Sequence, residues 1–209
     1  RTVATQSLNI FGDHSDVYAC RQTGFAMLAE TNPQEVMDLS PVAHLAAIEG
    51  KVPFINFFDG FRTSHEIQKI EKWDYADLKE MCNMDAVKAF REHALNPEHP
   101  AMRGSHENGD VFFQHREACN SVYEALPAVV KKYMGKINEK LGTNYDLFNY
   151  YGAEDADRVI IAMGSICDVA EEVIDYLTAK GEKVGLIKVR LYRPWVSSAL
   201  LDVIPKTAK

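Results

Sequence analysis

The chain has 209 residues, of which 46% are hydrophobic and 25% charged, and its net charge is −7. This composition is typical of a globular protein rather than a disordered or fibrous one. The acidic balance argues against binding to nucleic acid or to an anionic membrane, and no apolar run reaches the roughly 18 residues that a spanning helix needs.

The first distinctive segment is a polar loop, IFGDHSDVYACRQTGFAML, at residues 10–28. Asp13, His14 and Asp16 precede an apolar run of strand length, FAMLAE. Composition alone favours turn acids that hydrogen-bond their own backbone. A metal site built from these three residues is the weaker alternative, because loops that bind hard cations usually carry more ligands.

A strand–helix–strand unit follows this loop. Asn32 can cap a helix, Pro33 fits the first helical position and Glu35 completes a capping box. Apolar residues then recur at helical spacing as far as Gly50, and Pro41 is expected to kink the helix. KVPFINFF is the second strand, and a connection of this length predicts that the two strands are parallel.

The second strand leads into GFRTSHE at residues 60–66. A glycine turn followed by Arg62, two hydroxyl residues and His65 can form an anion cradle, since such groups suit phosphate or carboxylate. Ser64 can equally cap a helix that begins at His65, so both interpretations stay open. The spacing alone does not bring this loop together with the loop around His14.

The middle of the chain is predicted to be helical with one long interruption. Residues 74–95 and 117–141 have helical periodicity. Residues 96–120 are rich in Pro, His, Gly and Asn, which predicts an irregular excursion with a turn at Asn108-Gly109. Loops of this length usually cover a site or an interface.

A second strand–helix–strand unit occupies the end of the chain. RVIIAM and KVGLIKV are its strands, and an amphipathic helix between them ends at Gly181. At the Gly164-Ser165 turn, Ser165 and Asp168 are spaced as a capping box, and a phosphate site there is the weaker alternative. Residues 142–157, before this unit, are polar and are predicted to be irregular, and the change in composition after them predicts a domain boundary near residue 145.

The residue types offer few other kinds of chemistry. No G-x-S-x-G motif is present, and the four cysteines form no C-x-x-C pair and lack a convincing histidine partner in the sequence. These observations argue against a hydrolase nucleophile and against a zinc or iron–sulfur site within this chain. Widely spaced cysteines favour a reducing, cytoplasmic setting.

Longer segments carry more information than these short patterns. IFGDHSDVYACRQTGFAML and NPQEVMDLSPVAHLAAIEGKVPFINFFDGFRTSHEIQKIE, followed in order by NPEHPAMRG, DVFFQHREACN, RVIIAMGS and VRLYRPW, resemble the amino-terminal region of pyruvate:ferredoxin (flavodoxin) oxidoreductases. The resemblance implies an α/β fold with two parts. Residues 1–145 correspond to a parallel-sheet thiamine-diphosphate domain, the pyrimidine-side one, without its start. Residues 146–209 correspond to the start of a domain similar to the carboxyl-terminal domain of transketolases.

The resemblance also implies a function for the parent protein. Enzymes of this family are cytoplasmic homodimers that oxidise pyruvate to acetyl-CoA and CO₂ with coenzyme A. They use thiamine diphosphate with Mg²⁺ and [4Fe–4S] clusters, and they pass electrons to ferredoxin or flavodoxin. The glutamate that activates the thiamine ring, the diphosphate-binding domain and the cluster cysteines have no counterpart in this sequence. We therefore expect a fragment that binds none of these cofactors alone.

For individual residues the resemblance implies little. Arg1 corresponds to an arginine that pairs with the pyruvate carboxylate, a contact for which a guanidinium is well suited. No catalytic residue and no metal ligand is expected within the fragment. Asp13, His14, Asp16 and Arg62 are expected to shape the active-site wall or the dimer contact without touching the cofactor.

Two alternatives stay open at this point. A transketolase-like transferase would use thiamine without clusters, and C-x-x-C motifs in the parent gene would exclude it. The fragment alone can also be a non-catalytic scaffold, because these folds hold thiamine diphosphate between two domains. Enzymes for 2-oxoglutarate and other 2-oxoacids have related thiamine domains, but the GDHSD and GFRTSHE segments favour pyruvate.

Overall fold

A computed structural model describes residues 6–101 and 106–209, and it is an α/β structure. The helices are α1 (Ser15–Cys20), α2 (Pro33–Gly50), α3 (Arg62–His65), α4 (Tyr75–Met81), α5 (Met84–Glu92), α6 (Gly109–Ala118), α7 (Asn120–Leu141), α8 (Ile166–Thr178) and α9 (Ser197–Val203). The strands are β1 (Ala26–Ala29), β2 (Phe54–Phe57), β3 (Phe148–Gly152), β4 (Arg158–Ala162), β5 (Val184–Val189) and β6 (Leu191–Arg193). None of the helices in these ranges is long and apolar enough to cross a membrane.

The strands form two small sheets. The first has the order β2-β1-β6, and its β1 and β2 are parallel, with Ala26 opposite Phe54. The predicted parallel pair is therefore confirmed. β6 lies antiparallel on the other side of β1, with Leu191 opposite Leu28. The second sheet has the order β3-β5-β4, in which β4 is parallel and β3 antiparallel to β5.

The helix between β1 and β2 begins as the sequence predicts. The side chain of Asn32 accepts a hydrogen bond from the Glu35 N–H (3.0 Å), and Pro33 is the first helical residue. The Glu35 carboxylate does not close the capping box, because it accepts the N–H of Thr31 (2.9 Å) and pairs with an arginine described below. Helix α2 continues through Pro41 as far as Gly50.

Two local predictions were wrong, and a third holds with one break in the helix. Residues 109–118, predicted to be irregular, form α6, whose acidic residue in the first turn and basic residues in the last turn suit the helix dipole. Residues 74–95 are mostly helical, as predicted, but they form two helices: α4 ends at Met81, and Asn83 caps α5 by accepting the Ala86 N–H (3.1 Å). The stretch before β4, predicted to be irregular, contains the tyrosine-rich strand β3.

One apolar core connects both predicted domains. Helix α7 packs on α2 and contributes the buried side chains of Leu126, Val130, Tyr133, Met134 and Ile137. The same core cluster includes residues of β1, β5 and β6. The division at residue 145 stays a prediction, and the two segments on either side of it share buried surface.

A buried ion pair also joins the two segments. Arg190 lies between β5 and β6, and its Nη1 and Nη2 donate to Glu35 Oε2 and Oε1 at 2.6 and 2.9 Å. Its Nε donates to Asn149 Oδ1 at 2.5 Å. Arg190 and Glu35 are 3% and 6% exposed. Burial by itself would raise the pKa of Glu35, but the hydrogen bonds from Arg190 outweigh it and lower this pKa, so the pair is ionised.

Candidate functional site

Three loops converge on one carboxylate at the end of β2. Asp59, two residues after β2, accepts a hydrogen bond from His14 Nε2 through Oδ1 (2.5 Å). Its Oδ2 accepts the N–H of Ser165, the residue that precedes α8 (2.6 Å). The loop before α1, the loop after β2 and the turn after β4 are therefore joined by a single side chain.

The environment of Asp59 keeps it charged. The residue is 6% exposed, and burial alone would raise its pKa. The hydrogen bonds from His14 and from Ser165 outweigh the burial and lower the pKa of Asp59 to about 2. The hydrogen bond to Asp59 raises the pKa of His14 above its ordinary value. Each group thus stabilises the charge of the other, and the pair favours an imidazolium and a carboxylate.

The turn after β4 leaves no room for a larger residue. Gly164 has φ +84°, which places it in the left-handed region that favours glycine. A Cβ atom at this position would lie 2.8 Å from Asp59 Oδ2 and 3.0 Å from His14 Cε1. The glycine thus permits the close approach of the turn to the His14–Asp59 pair. The predicted capping box is absent, since the Ser165 side chain makes no cap bond and Asp168 instead accepts from Asn32 Nδ2 (3.1 Å).

Each of the two acids of the opening loop accepts a hydrogen bond from the backbone next to it in the sequence. Asp13 Oδ1 accepts the N–H of Ser15 (2.7 Å), and Asp16 Oδ1 accepts the N–H of Val17 (2.8 Å). The hydrogen bond to Ser15 lowers the pKa of Asp13. This is the turn role that composition favoured. Within the described ranges, no group of three or more His, Cys, Asp or Glu residues is arranged to hold a metal ion.

The same loop nevertheless forms one wall of a cavity of about 370 Å³. The cavity is lined by Ile10, Gly12, Asp13, His14, Asp16, Val17, Phe57, Phe58, Asp59, Gly60 and Phe61. It lies beyond the carboxyl end of β2, where open α/β sheets place their ligands. Aromatic rings and carboxylates make up most of its lining.

Arg62 does not line this cavity. Its guanidinium lies 5.3 Å from the centre of the Phe11 ring, which packs edge-on against Phe61 at 4.8 Å. The hydroxyls of the predicted anion cradle are also engaged within the chain. Thr63 donates to the carbonyl of Thr31 (3.4 Å), and Ser64 Oγ accepts the N–H of Phe61 (2.9 Å). Arg1, the predicted substrate-binding residue, lies outside the described residues.

Sequence reasoning named His14 as a candidate but did not identify its partners. Asp59 lies at the start of the loop after the second strand, which the spacing alone did not bring together with the loop around His14, and the Gly164-Ser165 turn was interpreted mainly as structural. The loop that contains Asp59 and the Gly164-Ser165 turn each follow an apolar strand and precede a helix, which is the position of ligand-binding loops in α/β folds. That shared position was the available signal, although it did not show that the two loops meet.

Known proteins match the chain along its whole length. A family model described as pyruvate flavodoxin/ferredoxin oxidoreductase, thiamine-diphosphate-binding, matches residues 1–135, and one described as pyruvate:ferredoxin oxidoreductase core domain II matches residues 156–209. The chain is 59% identical over 207 residues to the pyruvate-flavodoxin oxidoreductase of Enterobacter agglomerans, covering 99% of the chain and 18% of that protein. It is 54% identical over 209 residues to the pyruvate:ferredoxin oxidoreductase of Moorella thermoacetica, covering 100% of the chain and 18% of that protein.

One solved structure with the same fold is a 2-oxoglutarate:ferredoxin oxidoreductase from Magnetococcus marinus with 2-oxoglutarate, coenzyme A and succinyl-CoA bound. The TM-score is 0.58 with 19% identity, over 100% of this chain and 39% of that one. At this identity the likeness concerns the fold alone. The chain therefore has a thiamine-diphosphate-enzyme fold and spans 18% of the length of the two curated relatives.

Proposed function

The chain belongs to the pyruvate flavodoxin/ferredoxin oxidoreductase family, and we propose that it is part of an enzyme that oxidises pyruvate. In the proposed reaction, pyruvate and coenzyme A yield acetyl-CoA, CO₂ and a proton, while two electrons pass to ferredoxin or flavodoxin. The observation that carries this proposal is the match to the thiamine-diphosphate-binding family model over residues 1–135. The high identity to two enzymes named for pyruvate favours this substrate over 2-oxoglutarate.

The cavity beside Asp59 suits only part of the proposed cofactor. Its phenylalanine rings fit a flat aromatic group, but the carboxylates of Asp13, Asp16 and Asp59 oppose a diphosphate. We propose that this chain contributes to the ring side of the thiamine site and that other parts of the parent hold the diphosphate, Mg²⁺ and the [4Fe–4S] clusters. Bound thiamine diphosphate would supply the carbanion that attacks the 2-oxo carbon and then accepts the electrons of decarboxylation.

We propose that the His14 loop supports this site without touching substrate. The hydrogen bond from His14 to Asp59 fixes the loop after β2, and the hydrogen bond from the Ser15 N–H to Asp13 fixes the start of α1. These two bonds restrain the wall of the cavity before any ligand arrives, which lowers the entropic cost of positioning one. Arg1 is proposed to hold the pyruvate carboxylate, Arg62 to support the adjacent aromatic surface, and the parent to be a cytoplasmic homodimer.

The activity is tested on the full-length protein under anaerobic conditions. Pyruvate should drive the reduction of a viologen dye, and omission of coenzyme A should strongly reduce the rate. Reduction with 2-oxoglutarate but not with pyruvate would keep the reaction type and change the substrate. A protein that carries its iron–sulfur clusters but reduces the dye with no 2-oxoacid would contradict the proposal. Calorimetric titration of the 209-residue chain with thiamine diphosphate and Mg²⁺ should show no binding.

The supporting role of the loop predicts a particular kinetic effect. The double substitution Asp13→Asn with His14→Ala in the full-length enzyme should lower kcat/KM for pyruvate about 10-fold or more, since small displacements of a positioned wall are costly. Substitution of the exposed Asp85, far from the cavity in α5, is the matched control and should leave both constants unchanged. Wild-type kinetics together with wild-type dimerisation in the double variant would refute the role.

A further inference from the structure

A second carboxylate at the carboxyl end of the first sheet has no role in the site described above. Glu30 follows β1 directly and is 0% exposed. Neither of its carboxyl oxygens has a hydrogen-bond partner among the described residues. An ionised carboxylate is only an acceptor, and burying one without donors costs several kcal/mol. The ionised form is therefore poorly suited to this position.

The same face of the sheet offers an acceptor with no donor. Asn56 of β2 lies opposite Leu28, and alternation along β1 places Glu30 on the same face as Leu28. Asn56 Nδ2 donates to Ser40 Oγ (2.9 Å), whose hydroxyl donates to the carbonyl of Val36 (2.6 Å). Asn56 Oδ1 is buried and receives no hydrogen bond within the described ranges. The Asn56 side chain is also the uncharged polar group that acts on Glu30, and as a donor to the carboxylate it would lower the pKa of Glu30, against the larger and opposite effect of burial.

We propose that Glu30 is a neutral carboxylic acid in the folded chain at neutral pH and that its proton is donated to Asn56 Oδ1. The protonated form supplies one donor, which is what Asn56 Oδ1 lacks. A hydrogen-bonded series then runs from Glu30 through Asn56 and Ser40 to the backbone of α2. It connects β1, β2 and α2 on the core side of the sheet.

The charges around Glu30 agree with this state. Two charged groups act on it, Glu35 of α2 and Arg190 of the second segment. Glu35 disfavours a second negative charge, and Arg190 is already bound at both ends of its guanidinium fork by Glu35. Burial is the main influence and raises the pKa of Glu30 to about 9. Two carboxylates five positions apart thus hold opposite protonation states, because within the described ranges Glu35 has a paired cation and Glu30 has none.

The protonated state has a consequence for stability that depends on pH. Between the ordinary glutamate value of 4.5 and about 9, the folded chain keeps a proton that the unfolded chain has released. Stability therefore falls as the pH rises through this interval. Glutamine has nearly the same shape, and its amide N–H can donate to Asn56 Oδ1 at any pH. The stability of the Glu30→Gln variant should therefore not show this fall as the pH rises from 4.5 to about 9.

Two measurements on the 209-residue chain test the proposal. In infrared difference spectra at neutral pH, the wild type should show the carbonyl band of a protonated carboxyl group, and Glu30→Gln should lack it. Glu49→Gln is the control that should keep the band, because its hydrogen bonds to Lys132, Tyr133 and Asn83 lower the pKa of Glu49 to about 2. In thermal unfolding, the Tm advantage of Glu30→Gln should be small near pH 4.5 and grow steadily toward pH 9.

Either of two results would overturn the proposal. A wild-type spectrum without the protonated band would mean that Glu30 is ionised and that a bound cation or ordered water satisfies it. Curves of Tm against pH that run parallel for wild type and Glu30→Gln would mean that the carboxyl does not change protonation between the folded and unfolded chains.

Discussion

Replacing Arg190 with leucine is expected to lower the free energy of unfolding of the chain by about 3–5 kcal/mol, because the change leaves a buried carboxylate without its cation. Arg190 is the bidentate partner of Glu35 and also donates to Asn149. After the substitution, the N–H of Thr31 is the donor that Glu35 keeps among the described residues. Urea denaturation followed by circular dichroism measures the loss as a lower midpoint at an unchanged slope.

A double variant separates the ion pair from simple packing. Arg190→Leu combined with Glu35→Leu removes both charges, and it should recover much of the stability lost in the single variant. Arg158→Leu is the matched control, since Arg158 is exposed and its pairs with Asp157 and Glu182 lie at the surface. That control should change the midpoint little. A double variant as unstable as Arg190→Leu would show that the charges themselves are not what matters.

Replacing Asp59 with asparagine is expected to cost about 2–4 kcal/mol, since it weakens two charge-assisted hydrogen bonds at one buried point. The two hydrogen bonds use the two carboxylate oxygens of Asp59, one from His14 and one from the Ser165 N–H. Asparagine has a single acceptor oxygen and no negative charge, so it cannot replace both bonds. Asp13→Asn is the control, because Asp13 accepts one backbone N–H at an exposed position. Its effect on the unfolding midpoint should be much smaller.

The loss in Asp59→Asn should depend on pH with a defined sign. The pKa of Asp59 is lowered from 3.8 to about 2, so its contribution is present above pH 3.8 and disappears as the pH falls toward 2. The pKa of His14 is raised from 6.5, so its contribution is present below pH 6.5 and disappears as the pH rises through the raised value. The difference in free energy of unfolding between wild type and Asp59→Asn should therefore be largest between pH 3.8 and pH 6.5. A gap that is constant with pH would contradict the ion pair.

The elements that the sequence predicted well depend on neighbouring residues. β1, α2 and β2 were predicted because an apolar run, an Asn-Pro start and a second apolar run are close in sequence. Helix α6 was missed because Asn108-Gly109 is typical of a turn, and the helix is recognised only from the charges at its two ends. In the same way, β3 was missed because its tyrosines lie among polar residues.

The site depended on contacts that spacing could not show. His14 and Asp59 are 45 positions apart, and Asp59 and Ser165 are 106 apart. The contact between Asp59 and Ser165 requires the second strand–helix–strand unit to dock on the first, which local periodicity does not predict. The buried role of Arg190 was not predicted for the same reason. A charged residue at the end of an apolar strand is usually exposed, whereas Arg190 is buried and pairs with Glu35.

The position of β6 affects how the polypeptide acquires its fold during synthesis. Leu28 of β1 is paired with Leu191, so the first sheet gains its third strand only after nearly all of the 209 residues have been made. Until then one edge of β1 has unpaired backbone groups that can join a strand of another molecule. Contacts between such distant positions form slowly. We therefore expect the nascent chain to depend on chaperones until β6 emerges, and a chain cut after residue 145 to aggregate.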